Sequence, residues 1–150
     1  MQIRKVRIVT NGEGYGPGPP LDVEIEQRLT ISSSGMIWFT AYEYKYDKES
    51  GEIKFEICRR KQFSIGRDRA SEILELFSRY LQSGQPPPFA PDCGMWEMTI
   101  TDTGGKSYRK TGSVCGGVKV GDIDLTEYVR EAIPIDRMFV FEGYFETEED

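Results

Sequence analysis

The stretch from Arg67 to Pro88 limits the fold more than any other part of the chain. Asp68 offers a helix N-cap, and Ile73, Leu74, Phe77, Tyr80 and Leu81 follow at helical spacing, so five apolar groups share one stripe. Gly84 stands where a left-handed C-cap residue belongs, and Pro86, Pro87 and Pro88 remove backbone donors, so the helix is expected to stop near Ser83. The stripe needs a covering layer. On both sides of it the chain reads as strands, which makes residues 84–94 a Pro-rich connector between two halves.

In the first half, Gln2 to Thr10 reads as a strand, expected at an edge because Arg4, Lys5 and Arg7 interrupt Ile3, Val6 and Ile8. Residues 11–20 place four glycines at alternate positions. A phosphate-binding loop must present backbone amides at a helix start, whereas Pro17, Pro19 and Pro20 remove donors and a strand pattern follows, so this is expected to be a flexible connector. Val23, Ile25, Leu29 and Ile31 share one parity in a strand from Asp22 to Ser32. Ser32 to Gly35 is a turn, and Met36 to Cys58 is a long hairpin. Its first arm puts Met36, Trp38, Tyr42, Tyr44 and Tyr46 on one face and Ile37, Phe39 and Ala41 on the other. The turn at Asp47–Glu52 has neither the ligand spacing nor the glycine register of a calcium loop.

In the second half, Trp96, Met98 and Ile100 alternate with polar residues, Asp102 to Gly105 turns, and Lys106 to Thr111 returns. Val114, Val118 and Val120 suggest a short strand interrupted by Gly116 and Gly117. Asp122 and Asp124 resemble a paired-carboxylate metal site. However, Asp124 directly precedes the amphipathic pattern of Leu125, Tyr128, Val129, Ala132 and Ile133, and Glu127 completes a capping box, so capping is the expected role. Pro134 ends that helix. Ile135 to Phe145, apolar at both parities, predicts a last strand inside the sheet, and residues 146–150 form an acidic tail. The sum is a single α+β domain over residues 1–150: a mostly antiparallel sheet of about six or seven strands with two amphipathic helices packed on it.

The 25 acidic and 19 basic residues give a formal charge of -6, which disfavours general nucleic-acid binding and suits a basic partner. No apolar run is long enough to cross a membrane, and the first residues lack the apolar core of a secretion signal, so a cytoplasmic protein is expected. Histidine is absent, which removes Ser-His-Asp and Cys-His catalysis and histidine metal sites. Cys58, Cys93 and Cys115 are odd in number and widely spaced, so reduced, buried thiols are expected. Cys93 follows Asp92, whose carboxylate raises a thiol pKa, so it is a poor nucleophile. No catalytic residue, cofactor or metal ligand is assigned.

Leu29-Thr-Ile31 with Gly35 and Trp38-Phe39, then Trp96 to Ile100, Gly112-Ser113, Asp124-Leu-Thr with Val129-Arg130, and Phe139 to Gly143 resemble a family of small uncharacterised cytosolic proteins from gut-type Gram-positive bacteria. The resemblance covers Arg28 to Gly143. It implies a bacterial, intracellular protein and carries no activity, cofactor or catalytic residue.

Three functions are compatible with these residues. The leading expectation is a non-enzymatic acidic domain that binds another protein, with an inhibitor or immunity-type protein as one form. Its contact candidates are Trp38, Tyr42 and Tyr44 together with the basic run Arg59, Arg60 and Lys61, although three consecutive charges on an extended chain alternate faces and cannot all converge. Burial of the three aromatic residues would count against it. The second is a histidine-free enzyme using Asp92, Asp122, Asp124 and Glu127, with or without a metal, if folding brings them together. The third is an acidic mimic of nucleic acid, which needs its carboxylates arrayed on one surface.

Overall fold

The computed structural model describes residues 1–13, 20–91 and 93–143. The strands are β1 (Ile3–Asn11), β2 (Glu24–Ser32), β3 (Met36–Tyr46), β4 (Ile53–Ser64), β5 (Met95–Asp102), β6 (Ser107–Ser113), β7 (Lys119–Val120) and β8 (Ile123–Asp124), and the helices are α1 (Arg67–Ser83) and α2 (Leu125–Ala132). The first six strands form one antiparallel sheet in the order β4-β3-β2-β1-β5-β6, and β7 and β8 form a small second sheet. The large sheet is open, with β4 and β6 as its edges. The protein is therefore α+β, a single domain of the expected composition.

β1 lies at the centre of the sheet, paired to β2 on one side and β5 on the other, and not at an edge. Its charges were misleading because they belong to a face and not to a position in the sheet. Val6, Ile8 and Thr10 point into the core, while Lys5 and Arg7 occupy the opposite face, which water reaches. Both helices cover the core face. Ile73, Leu74, Leu76, Phe77 and Tyr80 of α1 and Leu125 and Val129 of α2 join Val6, Ile8, Leu29, Ile31, Ile37, Phe39, Trp96, Met98 and Ile100 in one apolar cluster.

α1 ends as the sequence dictates: Gly84 takes the left-handed conformation with φ 68°. Its start differs. Gly66 is the N-cap at φ 87°, without a side-chain cap bond, and Asp68 lies inside the first turn, where its charge complements the helix dipole. The same junction requires glycine at position 35, in the β2–β3 turn, because the two segments approach closely. A Cβ on Gly35 would come within 2.7 Å of the Gly66 carbonyl carbon, and Gly35 O accepts from Ile65 N–H at 2.8 Å. Asp124 caps α2 as expected, its side chain accepting from Glu127 N–H at 3.1 Å.

Residues 135–143 do not form a strand. Arg137 and Val140 take positive φ, 49° and 57°, which breaks any extended run. The apolar pattern reflects burial nonetheless: Met138, Phe139, Val140 and Phe141 are all in the core. Side chains meet the main-chain polar groups in place of a ladder. Gln27 Oε1 accepts from Phe139 N–H at 2.7 Å, Gln27 Nε2 donates to Arg137 O at 2.9 Å, Thr10 Oγ1 donates to Val140 O, and Thr126 Oγ1 accepts from Phe141 N–H. The expectations for the glycine loop at 14–19, for Asp92 and for the acidic tail fall outside the described residues.

Candidate functional site

The helices cover one face of the large sheet and leave the other open. On that face the β3–β4 register sets Tyr42 opposite Ile57, Tyr44 opposite Phe55 and Tyr46 opposite Ile53. The result is apolar surface in water, with Trp38 further along the same face beyond Thr40: Trp38 is 40% exposed, Phe55 41%, Ile57 45%, Ile53 52% and Tyr46 55%. Tyr42 and Tyr44 are half-buried by their neighbours. Phe55 stacks on Tyr42 with ring centroids 5.1 Å apart and tilts against Tyr44 at 5.0 Å. The Arg28 guanidinium lies 4.3 Å above the Tyr42 ring. These contacts hold the aromatic groups in fixed positions, which lowers the entropy lost when a partner covers them. Desolvation, and then the hydrogen bond from Tyr44 Oη to Glu13 at 3.1 Å, hold the Tyr44 phenol above its ordinary pKa of 10.0.

Folding separates the basic run. Arg59 turns to the core side of the edge, where it pairs with Glu24 at 2.9 Å, donates to Asp136 O at 2.7 Å and lies 5.0 Å from the Phe39 ring centroid. It pins the 135–143 segment to the sheet. Lys61 sits opposite Phe39, on that same side. Only Arg60, opposite Thr40, shares the open face with Trp38 and Tyr42. Of the six contact candidates, four are therefore together: Trp38, Tyr42, Tyr44 and Arg60. Ile53, Phe55 and Ile57 complete the patch without having been singled out in the sequence. The signal was present, because the Asp47–Glu52 turn fixes which β4 residue faces each tyrosine.

Charge on this face runs against the charge of the chain. Lys5, Arg7, Arg28, Arg60 and Arg109 share it with Glu26 and Glu97. Arg28 pairs with Glu26 at 2.7 Å and Arg109 with Glu97 at 2.8 Å, which leaves Lys5, Arg7 and Arg60 without an ion pair among the described residues.

Asp124 is occupied as a helix cap, and no cluster of three or more metal-ligating side chains occurs among the described residues. A cleft of about 440 Å³ is lined, among the described residues, by Asn11, Glu13, Phe89, Ala90, Pro91, Cys93 and Met95, of which Glu13 carries a carboxylate. On α1, Asp68, Glu72 and Glu75 alternate with Arg67, Arg69 and Arg79, and among the described strand residues Glu24, Glu43 and Glu56 stand in one short row that Lys45 and Arg59 interrupt with ion pairs.

Cys93 and Cys115 are joined in a disulfide, with Cα atoms 6.1 Å apart, and are not reduced thiols. The β5–β6 ladder ends at Met95 opposite Ser113, and two residues further along the same register Cys93 meets Cys115. Sequence spacing alone hides this, whereas the hairpin register reveals it. Cys58 is free but exposed, not buried, and desolvation followed by the Glu24 and Glu43 charges raises its thiol pKa, so little of it is thiolate. No protein-family model matches the chain, and no curated protein matches it.

Proposed function

We propose that this protein is a non-enzymatic binding domain that takes another protein on the open face of its large sheet. The observation that carries this is the patch on the face that neither helix covers, in which Trp38, Ile53, Phe55 and Ile57 are exposed and Tyr42 and Tyr44 half-buried among them. Large fixed aromatic groups beside a cation are the usual energetic centre of an interface, and a monomeric protein rarely leaves such a patch in water without a use. An inhibitor or immunity-type protein acting by occlusion is one form of this function.

Net charge alone suggests a basic partner. The patch itself is flanked by Lys5, Arg7 and Arg60, so a partner whose apolar contact is rimmed by acid matches the local chemistry better. A cytoplasmic address, expected from the sequence, sits uneasily with the Cys93–Cys115 bond, because disulfides persist in oxidising compartments. Alkylation of free thiols in protein taken directly from its host, followed by mass measurement, decides it. One alkylated cysteine supports an oxidising compartment, and three support the cytoplasm.

Binding is tested with immobilised wild type, Trp38→Ser, Tyr42→Ser and, as a control on the opposite face, Tyr108→Ser, each exposed to host lysate. One stoichiometric protein retained by wild type and the control, and weakened by about 2 kcal/mol or roughly thirtyfold in both patch variants, is expected. Equal retention by all four would overturn the patch as the interface.

A further inference from the structure

We propose that the β4 edge pairs antiparallel with the β4 edge of a second copy of this chain, continuing the sheet through a two-fold axis at Phe55. This inference is independent of the partner reading above, and its failure leaves that reading untouched.

β4 is a 12-residue edge strand, nearly all of it exposed, and it carries Ile53, Phe55 and Ile57 in water. Such an edge is a template for another strand. The opposite edge, β6, is shorter and apart from Tyr108 is largely polar, and Pro88 O already accepts from its Ser113 N–H.

The available hydrogen bonds can be assigned. Asp47 N–H donates to Glu52 O at 2.8 Å, which makes Asp47–Glu52 a hydrogen-bonded pair. Alternation along an antiparallel ladder then makes Tyr46–Ile53, Tyr44–Phe55 and Tyr42–Ile57 non-bonded pairs. The main chain of Ile53, Phe55 and Ile57 therefore points outward. An independent contact agrees: Tyr44 O faces away from β4 and accepts from Asp22 N–H at 2.9 Å.

With Phe55 opposite the partner's Phe55, these outward groups pair completely, because Ile53 meets the partner's Ile57 and Ile57 meets the partner's Ile53. On the other side of the strand Lys54 faces the partner's Glu56, and Glu56 faces the partner's Lys54. The stretch from Ile53 to Ile57 is thus complementary to itself in shape, hydrogen bonding and charge. Glu56 is set up for this. Its own cross-strand neighbour is Glu43, a like charge, and it has no ion pair among the described residues. Lys54 faces Lys45 and pairs with Asp47 at the turn.

A register shifted toward the basic run is worse. Centring the axis on Arg59 would put two guanidinium groups opposite each other and Ile57 opposite the partner's Lys61. The bulge at Cys58, between the pairs Ala41–Arg59 and Tyr42–Ile57, also ends the regular edge where the basic run begins. In the dimer the two aromatic patches become neighbours on one continuous face.

Sedimentation velocity on four samples tests this: wild type, Glu56→Lys, Lys54→Glu, and an equimolar mixture of the two variants. Each single substitution turns a like-charged pair with β3 into an opposite one while setting like charges opposite each other across the proposed interface; Lys54→Glu also gives up the pair with Asp47, so far-ultraviolet circular dichroism of both variants checks that the hairpin is kept. A wild-type dimer, weakened about tenfold or more in each variant and restored by mixing them, is expected, because only the mixed dimer recovers both attractions. Phe55→Pro, which removes an outward N–H that β3 does not use, is expected to abolish the dimer. A monomeric wild type, single variants that dimerise as wild type does, or a mixture that stays monomeric would each overturn the proposal.

Discussion

At the residue scale, the most informative side chains are those whose partners lie far away in sequence. Phe77 is fully buried on α1, with the Phe141 ring 6.1 Å away, so Phe77→Ala should cost about 3–5 kcal/mol in a urea titration. Its place in the core was legible from helical spacing. The disulfide was not, because thiols pair by register and not by count. Closing the chain between Cys93 and Cys115, 22 residues apart, restricts the unfolded state, so Cys115→Ser should cost about 3 kcal/mol in the same assay. Asp47 gives a pH test. The hydrogen bond from Lys54, then those from Glu49 N–H and Ser50, hold its carboxyl below the ordinary 3.8. A lowered folded value favours the ionised form in the native state. The contribution is therefore present above pH 3.8 and lost as pH falls through the lower folded value, and Asp47→Asn should flatten the acid limb of the hairpin's stability.

At the element scale, alternation and helical spacing identified β1 to β6 and both helices, because every one of them but the exposed edge strand β4 buries one face, and β4 alternates in sequence all the same. The 135–143 segment shows where that logic stops. Its run Met138 to Phe141 is apolar at both parities, which reports burial of both faces but not how the main chain is satisfied. Here the satisfaction is non-local, through Gln27 and Thr10 on the sheet and Thr126 on α2. Buried polar residues in otherwise apolar strands were the available signal. Gln27→Ala removes both of the hydrogen bonds that Gln27 makes to the segment. It should cost about 2 kcal/mol, with faster amide exchange at Phe139 but not at Phe77, as read by exchange NMR.

At the scale of the whole molecule, the decisive feature is that both helices lie on one side of the sheet. A sequence gives the two parities of every strand but does not say which parity the helices cover when both are apolar, as in β3. Trp38 and Trp96 illustrate the difference. Both lie in strands with apolar residues on their own parity, yet Trp96 is 1% exposed, stacked edge-on to Phe141 at 4.8 Å and seated over Gly112, while Trp38 stands on the open face. The two rings make the free face directly measurable. Trp38→Phe and Trp96→Phe each leave one indole, and acrylamide quenching of the two variants should show the Trp38 emission red-shifted and readily quenched and the Trp96 emission blue-shifted and protected. Equal protection of both indoles would mean that the aromatic face is covered, and a partner surface there would be contradicted.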